Sequence, residues 1–278
     1  MSHNRPFRID IDRVLRDKAP RLYNKLPRFF INWLKRTVHQ DEINEILDRN
    51  QGLEGVEFMR ILVDEEFKVT LHTEGVDNIP ETGRFIFASN HPLGGLDGIC
   101  LSAFLGEKYD GKIKYLVNDV LYYIEPLKPI FVPINKYGAQ GKASVKAINE
   151  AYASDNQIIT FPAGLCSRKR NGIITDLDWL KNFIVKAVEF QRDVIPVYFD
   201  GKNSTFFYNL ANLRKASGLK FNAELIYLPD EMFRNRGGTF TITFGKPIPW
   251  QTFDKSKTAA EWAETVKEVV YSLRRPHS

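Results

Sequence analysis

The residues Phe85-Ile86-Phe87-Ala88-Ser89-Asn90-His91-Pro92-Leu93-Gly94-Gly95-Leu96-Asp97-Gly98 run from a short apolar segment, through a glycine-rich turn, to the start of a helical pattern. Phe85 to Ala88 have the composition of a buried strand. Gly94, Gly95 and Gly98 weaken a turn unless backbone must approach something closely, and Asp97 stands where an acid favours the first turn of a helix. Strand, turn and helix in this order form the repeating unit of an α/β sheet.

Outward from this stretch the same alternation continues. Strands are expected at Phe67 to Thr73, Phe85 to Ala88, Ile113 to Val117, Ile130 to Ile134, Gln157 to Phe161, Val194 to Phe199, Glu224 to Leu228 and Thr239 to Phe244. Helices are expected at Asp97 to Leu105, Lys142 to Ala153, Trp179 to Gln191 and about Ala259 to Arg274. The expected fold is therefore α/β, with a mixed, mainly parallel sheet covered by helices over residues 65–278. Residues 1–64 read as a helical N-terminal extension. In such sheets working residues sit on loops at the carboxyl ends of strands, which singles out the loops after Ala88, Ile134 and Phe161.

The extension carries the most lopsided charge in the chain. From Arg13 to Arg36 there are eight basic residues against one acid, Asp17. Leu22, Leu26, Phe29, Phe30, Trp33 and Leu34 recur at helical spacing beside them, with Pro27 expected to split the segment into two helices. A basic amphipathic helix with Trp and Phe suits an anionic membrane interface. The alternative is a surface helix whose apolar stripe packs on its own domain. Residues 41 to 64 read as a further helical stretch ending near Gly52 to Gly55.

Composition narrows the function. The 278 residues are 43% hydrophobic and 26% charged, an ordinary globular balance that excludes disorder as the main state. No apolar run approaches the length of a membrane span, and the first eleven residues do not read as a signal peptide. Peripheral attachment to the cytoplasmic face of a membrane is the expected location. Cys100 and Cys166 lack disulfide or metal-ligand spacing and are expected as reduced thiols. A net charge of +5 favours anionic partners without naming one, and no nucleic-acid partner is expected. No nucleophile-elbow G-x-S-x-G, P-loop or dinucleotide-binding glycine pattern occurs.

Of five histidines, His91 alone is delivered by a strand into such a turn. A neutral imidazole can act as a base when a carboxylate on its other nitrogen fixes the tautomer and stabilises the imidazolium that forms. Asp97 is the nearest acid in sequence.

Asn90-His91 followed by Asp97 resembles the first motif of the glycerophosphate and lysophospholipid acyltransferase superfamily, an NH dipeptide followed after four residues by Asp. Here five residues intervene. The segment His91 to Gly98 is similar to the HPxGGxDG form of the hemolysin-like branch, which includes N-acyltransferases that make ornithine and glycine lipids, and the glycine pair can absorb the extra residue. Phe161-Pro162-Ala163-Gly164-Leu165-Cys166-Ser167-Arg168 resembles the superfamily's FPEGTRS block, with Ala163 in place of its acid and Cys166 in place of its Arg. Lys128 to Lys136 stands where the second motif falls, with Asn135 in place of its Arg and Lys136 beside it. Val194 to Phe199 and Phe244-Gly245-Lys246-Pro247-Ile248 resemble later blocks.

The resemblance implies direct attack of an acceptor on a fatty acyl thioester, of acyl carrier protein or coenzyme A, with no cofactor and no metal. His91 and Asp97 are the implied catalytic pair. Asn90, Gly94, Gly95, Asn135, Lys136, Gly164, Ser167, Arg168, Lys169 and Arg170 are the implied substrate-binding residues, with N–H groups around Gly94, Gly95 or Gly164 as oxyanion donors. Arg168, Lys169 and Arg170 read either as an anion site or as solvated loop cations. Cys166 reads as a small apolar filler rather than a nucleophile. The departures at Ala163 and Asn135 favour the amine of glycine or ornithine as acceptor. The competing expectations are 1-acylglycerol-3-phosphate acylation and, in another class, a non-catalytic membrane-surface module in which Asp97 stands too far from His91.

Overall fold

Every residue from Phe85 to Ser89 is buried, the burial of a central parallel strand covered on both faces. A computed structural model describes residues 8–118, 124–134, 138–219 and 221–275. The chain opens with α1 (Ile11–Lys18), α2 (Pro20–Tyr23), α3 (Arg28–Thr37), α4 (Gln40–Arg49) and α5 (Gly55–Ile61). There follow β1 (Thr70–Glu74), β2 (Phe85–Ser89), α6 (Leu96–Lys108), β3 (Ile113–Asn118), β4 (Phe131–Ile134), α7 (Gly138–Ala153), β5 (Gln157–Thr160), β6 (Arg168–Arg170) and β7 (Ile173–Thr175). The last elements are α8 (Asn182–Phe190), β8 (Asp193–Asp200), α9 (Thr205–Ala216), α10 (Leu228–Arg234), β9 (Thr239–Phe244) and α11 (Ala259–Ser272).

These elements form two units, Glu54–Asn203 with Gly237–Ser278, and Met1–Leu53 with Ser204–Arg236. The division differs from the one expected at residue 64. Helix α5 belongs to the α/β unit because it lies against α6 so closely that a Cβ on Gly106 would come within 2.4 Å of the Val56 methyls. The segment 204–236 belongs to the helical unit.

In the α/β unit seven strands take the order β1-β9-β8-β2-β5-β3-β4. All neighbouring pairs are parallel except β8 with β9, so the expected mixed, mainly parallel sheet is present. The register Ala88↔Thr160 brings the loops after β2 and β5 out side by side at their carboxyl ends. On one face Ile86, Ala88, Ile158 and Val194 pack with Phe183 and Ile184 of α8 and Val266 and Val270 of α11. Helix α11 starts with a capping box, Thr258 accepting from the Glu261 N–H while Glu261 accepts from the Thr258 N–H. Near the amino ends of β2 and β8 the fully buried Arg192 donates to the carbonyls of Tyr152 (2.7 Å), Asn156 (2.8 Å), Phe85 and Ser154, so its charge is answered by backbone dipoles.

In the helical unit Ile31, Ile46 and Leu47 are buried. Asp12 accepts from Tyr23 Oη at 2.7 Å and pairs with Lys35 and Arg28, which ties α1 to α3. Between α3 and α4 His39 adopts a left-handed φ of 53°. Its ring bonds Glu42 and Asp230, each at 3.1 Å, and stacks on Phe233. Pro27 breaks the basic segment as expected and precedes α3, but a second break falls at Pro20, so three helices occupy it. The 41–64 stretch likewise divides, into α4 and α5.

The expected strand Glu224 to Leu228 is a 3-10 turn, Ala223–Tyr227, leading into α10. Pro229 sits in the first turn of that helix with Asp230 and Glu231, a start signal that outweighs a four-residue apolar run. Arg168 to Arg170, read above as loop, is strand β6, paired antiparallel with β7. Asn171 and Gly172, with φ of 50° and 82°, make the hairpin turn between them.

Candidate functional site

The loop after β2 is organised around one carboxylate. Asp97 stands in the first turn of α6, fully buried, and its Oδ2 accepts from Leu93 N–H at 2.9 Å and Gly94 N–H at 3.3 Å. Its Oδ1 accepts from Gly95 N–H at 3.0 Å and Gly98 N–H at 2.9 Å. Gly94 takes a left-handed φ of 77°, which lets the turn fold back over the acid. Wrapped in this way, Oδ2 also meets His91 Nδ1 at 2.9 Å. The five-residue spacing therefore brings acid and imidazole into direct contact. Among the described residues His91 Nε2 has no hydrogen-bond partner.

The loop after β5 supplies the other side. Phe161 lays its ring on His91 with centroids 4.2 Å apart, and Tyr115 of β3 lies 5.4 Å from Phe161. Ser167 N–H donates to the His91 carbonyl at 2.7 Å, while His91 N–H donates to Asp176 Oδ1 at 3.2 Å. Ser167 Oγ donates to that same oxygen at 2.5 Å, and Trp179 Nε1 to Asp176 Oδ2 at 2.9 Å. The backbone of His91 is thus held at both its N–H and its carbonyl. Sequence reasoning did not single out Asp176. Its signal was the Asn171-Gly172 turn, which folds the chain back and returns an acid beside Ser167.

Burial pushes the His91 pKa down, but the charge and hydrogen bond of Asp97 outweigh it and hold the imidazole above its ordinary value. Burial would raise Asp97, yet His91 and the N–H groups of Leu93 and Gly98 keep its carboxyl below the usual carboxylate range. Burial raises Asp176 above that range, against the opposing bonds of Ser167 and Trp179.

The other expected residues separate. Asn90 is turned into the sheet, donating to Phe199 carbonyl at 2.9 Å and accepting from Phe199 N–H at 2.7 Å, so it pins the loop to β8. Gly94 and Gly95 N–H are engaged by Asp97, and Gly164 N–H by the Phe161 carbonyl at 2.9 Å. None of the three is a free oxyanion donor, because each closes its own turn. Arg168 is buried, its Nη1 donating to Cys166 carbonyl at 2.6 Å and to Cys166 Sγ at 3.0 Å, while Lys169 is half-buried and Arg170 exposed. Strand geometry sends Lys169 to the opposite face from its two neighbours, so the three cations do not make one patch. Asn135 and Lys136 lie outside the described residues. Neither Cys100 nor Cys166 is in a disulfide, and both are buried. No group of three His, Cys, Asp or Glu among the described residues is placed to hold a metal.

The family model described as acyltransferase matches residues 13–277. A lyso-glycine lipid O-acyltransferase of Bacteroides thetaiotaomicron is 54% identical over 273 residues, covering 98% of this chain and all of the relative. One of the same name from Phocaeicola vulgatus is 50% identical, with 98% of each chain covered. Among solved structures, the 1-acyl-sn-glycerophosphate acyltransferase PlsC of Thermotoga maritima aligns with a TM-score of 0.51 at 18% identity, over 90% of this chain and 94% of that one. That likeness is one of fold.

Proposed function

This chain belongs to the acyltransferase family and acts on lipids, and from that we propose that it transfers a fatty acyl group from a thioester to the hydroxyl of a lyso-glycine lipid. The carrying observation is His91 Nδ1 held at 2.9 Å by Asp97 while Nε2 has no hydrogen-bond partner among the described residues. The name shared by the two relatives joins a lipid lacking one chain to acyl transfer onto oxygen. A glycine whose nitrogen already bears an acyl chain has no nucleophilic amine, and acylating its carboxylate would give a reactive anhydride. A hydroxyl on the first chain is the remaining chemically sensible oxygen. This reading moves the acceptor from the amine expected from sequence to an alcohol.

An alcohol must lose its proton as it attacks. His91 Nε2 takes that proton while the oxygen bonds to the thioester carbonyl carbon, and Asp97 stabilises the imidazolium. Collapse of the tetrahedral oxyanion breaks the C–S bond, and the imidazolium returns the proton to the leaving thiolate. The donor is an acyl carrier protein or coenzyme A thioester.

The acylglycerol phosphate alternative needs a cluster of cations for a phosphate, and Arg168 with its neighbours does not offer one. No helix among the described residues is long and apolar enough to cross a membrane. The basic segment would rest on a membrane surface, with Leu22 and Phe29 exposed beside Arg21, Lys25 and Arg28. The test of the reaction is purified protein with an acyl thioester and either N-(3-hydroxyacyl)glycine or free glycine. Mass spectrometry should find a second chain on the former only. A product from free glycine alone would return the amine reading.

A further inference from the structure

We propose that the segment 204–236, remote in sequence from the basic N-terminal helices, provides a second membrane contact in the same unit, with Leu219 and Phe221 entering the apolar layer of an anionic bilayer. This rests on the reading of the protein as an enzyme of lipids. The helical unit holds 16 Lys and Arg against 10 Asp and Glu, a net +6, whereas the α/β unit holds 23 against 24. The chain's net positive charge therefore comes from the helical unit. The same unit also carries seven of the thirteen large apolar side chains exposed among the described residues. Val14, Leu22, Phe29, Phe206, Leu213, Leu219 and Phe221 all belong to it, with Phe29 73%, Phe221 70%, Leu213 68% and Leu219 60% exposed.

Large apolar side chains set in a cationic surface are matched by a bilayer with anionic headgroups. The tip is also braced from within. Arg214 donates to the Leu219 carbonyl at 2.9 Å and pairs at 2.7 Å with Glu224, which is fully buried. Arg214 thus ties the Leu219 backbone to the buried Glu224, while the Leu219 and Phe221 side chains stay exposed. Aromatic contacts run from this segment to α3: Phe206 to Tyr227 at 4.9 Å, Tyr227 to Trp33 at 6.1 Å and Trp33 to Phe30 at 5.1 Å between centroids. Phe29, Phe30, Trp33 and Arg36 border a hollow of about 450 Å³ on α3. These rings tie α3 to Phe206 of the 204–236 segment.

The test uses the full chain with vesicles of phosphatidylglycerol in phosphatidylcholine, or of phosphatidylcholine alone. Phe221→Cys is labelled with an environment-sensitive dye, both native thiols being buried. Emission should rise severalfold with anionic vesicles and fall back at high salt, while dye on Val145→Cys of α7 should not respond. Leu219→Ser with Phe221→Ser should lower the sedimented fraction about fivefold or more at unchanged Tm, and Val145→Ser should leave it unchanged. A silent dye at residue 221 on protein that sediments would overturn the proposal, as would a dye response that follows protein concentration without vesicles, which would mark a contact between copies. No readout here needs turnover, and transfer to acceptor in detergent micelles tests the reaction separately.

Discussion

Asp97 accepts from His91 Nδ1 with the same carboxylate that gathers three backbone N–H groups of the loop between them, Leu93, Gly94 and Gly95, and a fourth from Gly98 just beyond. The acid is therefore the organising centre of the turn as well as the partner of the imidazole. Asp97→Asn would turn an amide NH2 toward N–H donors on one side or the other. It should destabilise the fold by about 1–3 kcal/mol and lower kcat on the order of 10²-fold, measured by thermal unfolding and by initial rates.

The pH profile follows from the same pair. An imidazole can act as a base only when neutral, and Asp97 holds the His91 pKa above the ordinary value of about 6.5. Activity should fall toward acid with a midpoint above that value, and in Asp97→Asn the midpoint should move down. For stability the signs differ. The raised His91 contributes below its unfolded pKa and loses this as pH rises through the folded one, whereas the lowered Asp97 contributes above its unfolded pKa and loses this as pH falls through the folded one. The pair, titrating as one system, should stabilise most between about pH 4 and 6.5. His91→Ala should flatten the alkaline side of Tm against pH.

Asp176 and Ser167 hold the His91 backbone, and we predict that they act on the reaction through it. Asp176→Asn replaces an acceptor of three hydrogen bonds with a group that meets donors on both sides. We expect kcat to fall about tenfold or more with KM for the thioester little changed, and Ser167→Ala to fall less. Steady-state kinetics on both variants check this. A rise in KM alone would show that the clamp serves binding rather than the base.

Gly98 has no room for a methyl, since a Cβ there would lie 2.6 Å from Tyr115 Oη. Gly98→Ala should cost about 1–3 kcal/mol of stability by overpacking. Adding Tyr115→Phe removes the nearest atom and should restore part of it, measurable as a double-mutant cycle in denaturant unfolding.

The sheet was legible because its central strands are short apolar runs between turn signals, and β2 with its following turn also identified His91 and Asp97. What escaped the sequence depended on contacts distant along the chain. Asn90 belongs to the motif yet faces Phe199 of β8, and only the fold shows which way it turns. The N–H groups of Gly94 and Gly95 looked available until Asp97 was seen to occupy them. The run Glu224 to Leu228 fits strand and helix equally by composition, and the capping residues after it decide. The Asn171-Gly172 turn was readable as a hairpin and would have converted Arg168 to Arg170 from a cation cluster into a strand with alternating faces.

The proposed reaction turns on Nε2 of His91. The most direct test is the rate at which His91→Ala, purified free of host acyltransferases and shown to be folded by its thermal transition, adds an acyl chain to N-(3-hydroxyacyl)glycine. General-base catalysis predicts a fall on the order of 10²–10⁴-fold with little change in Tm. Retention of more than about a tenth of wild-type activity, a loss below 1.4 kcal/mol in the barrier, would contradict a proton transfer to this imidazole.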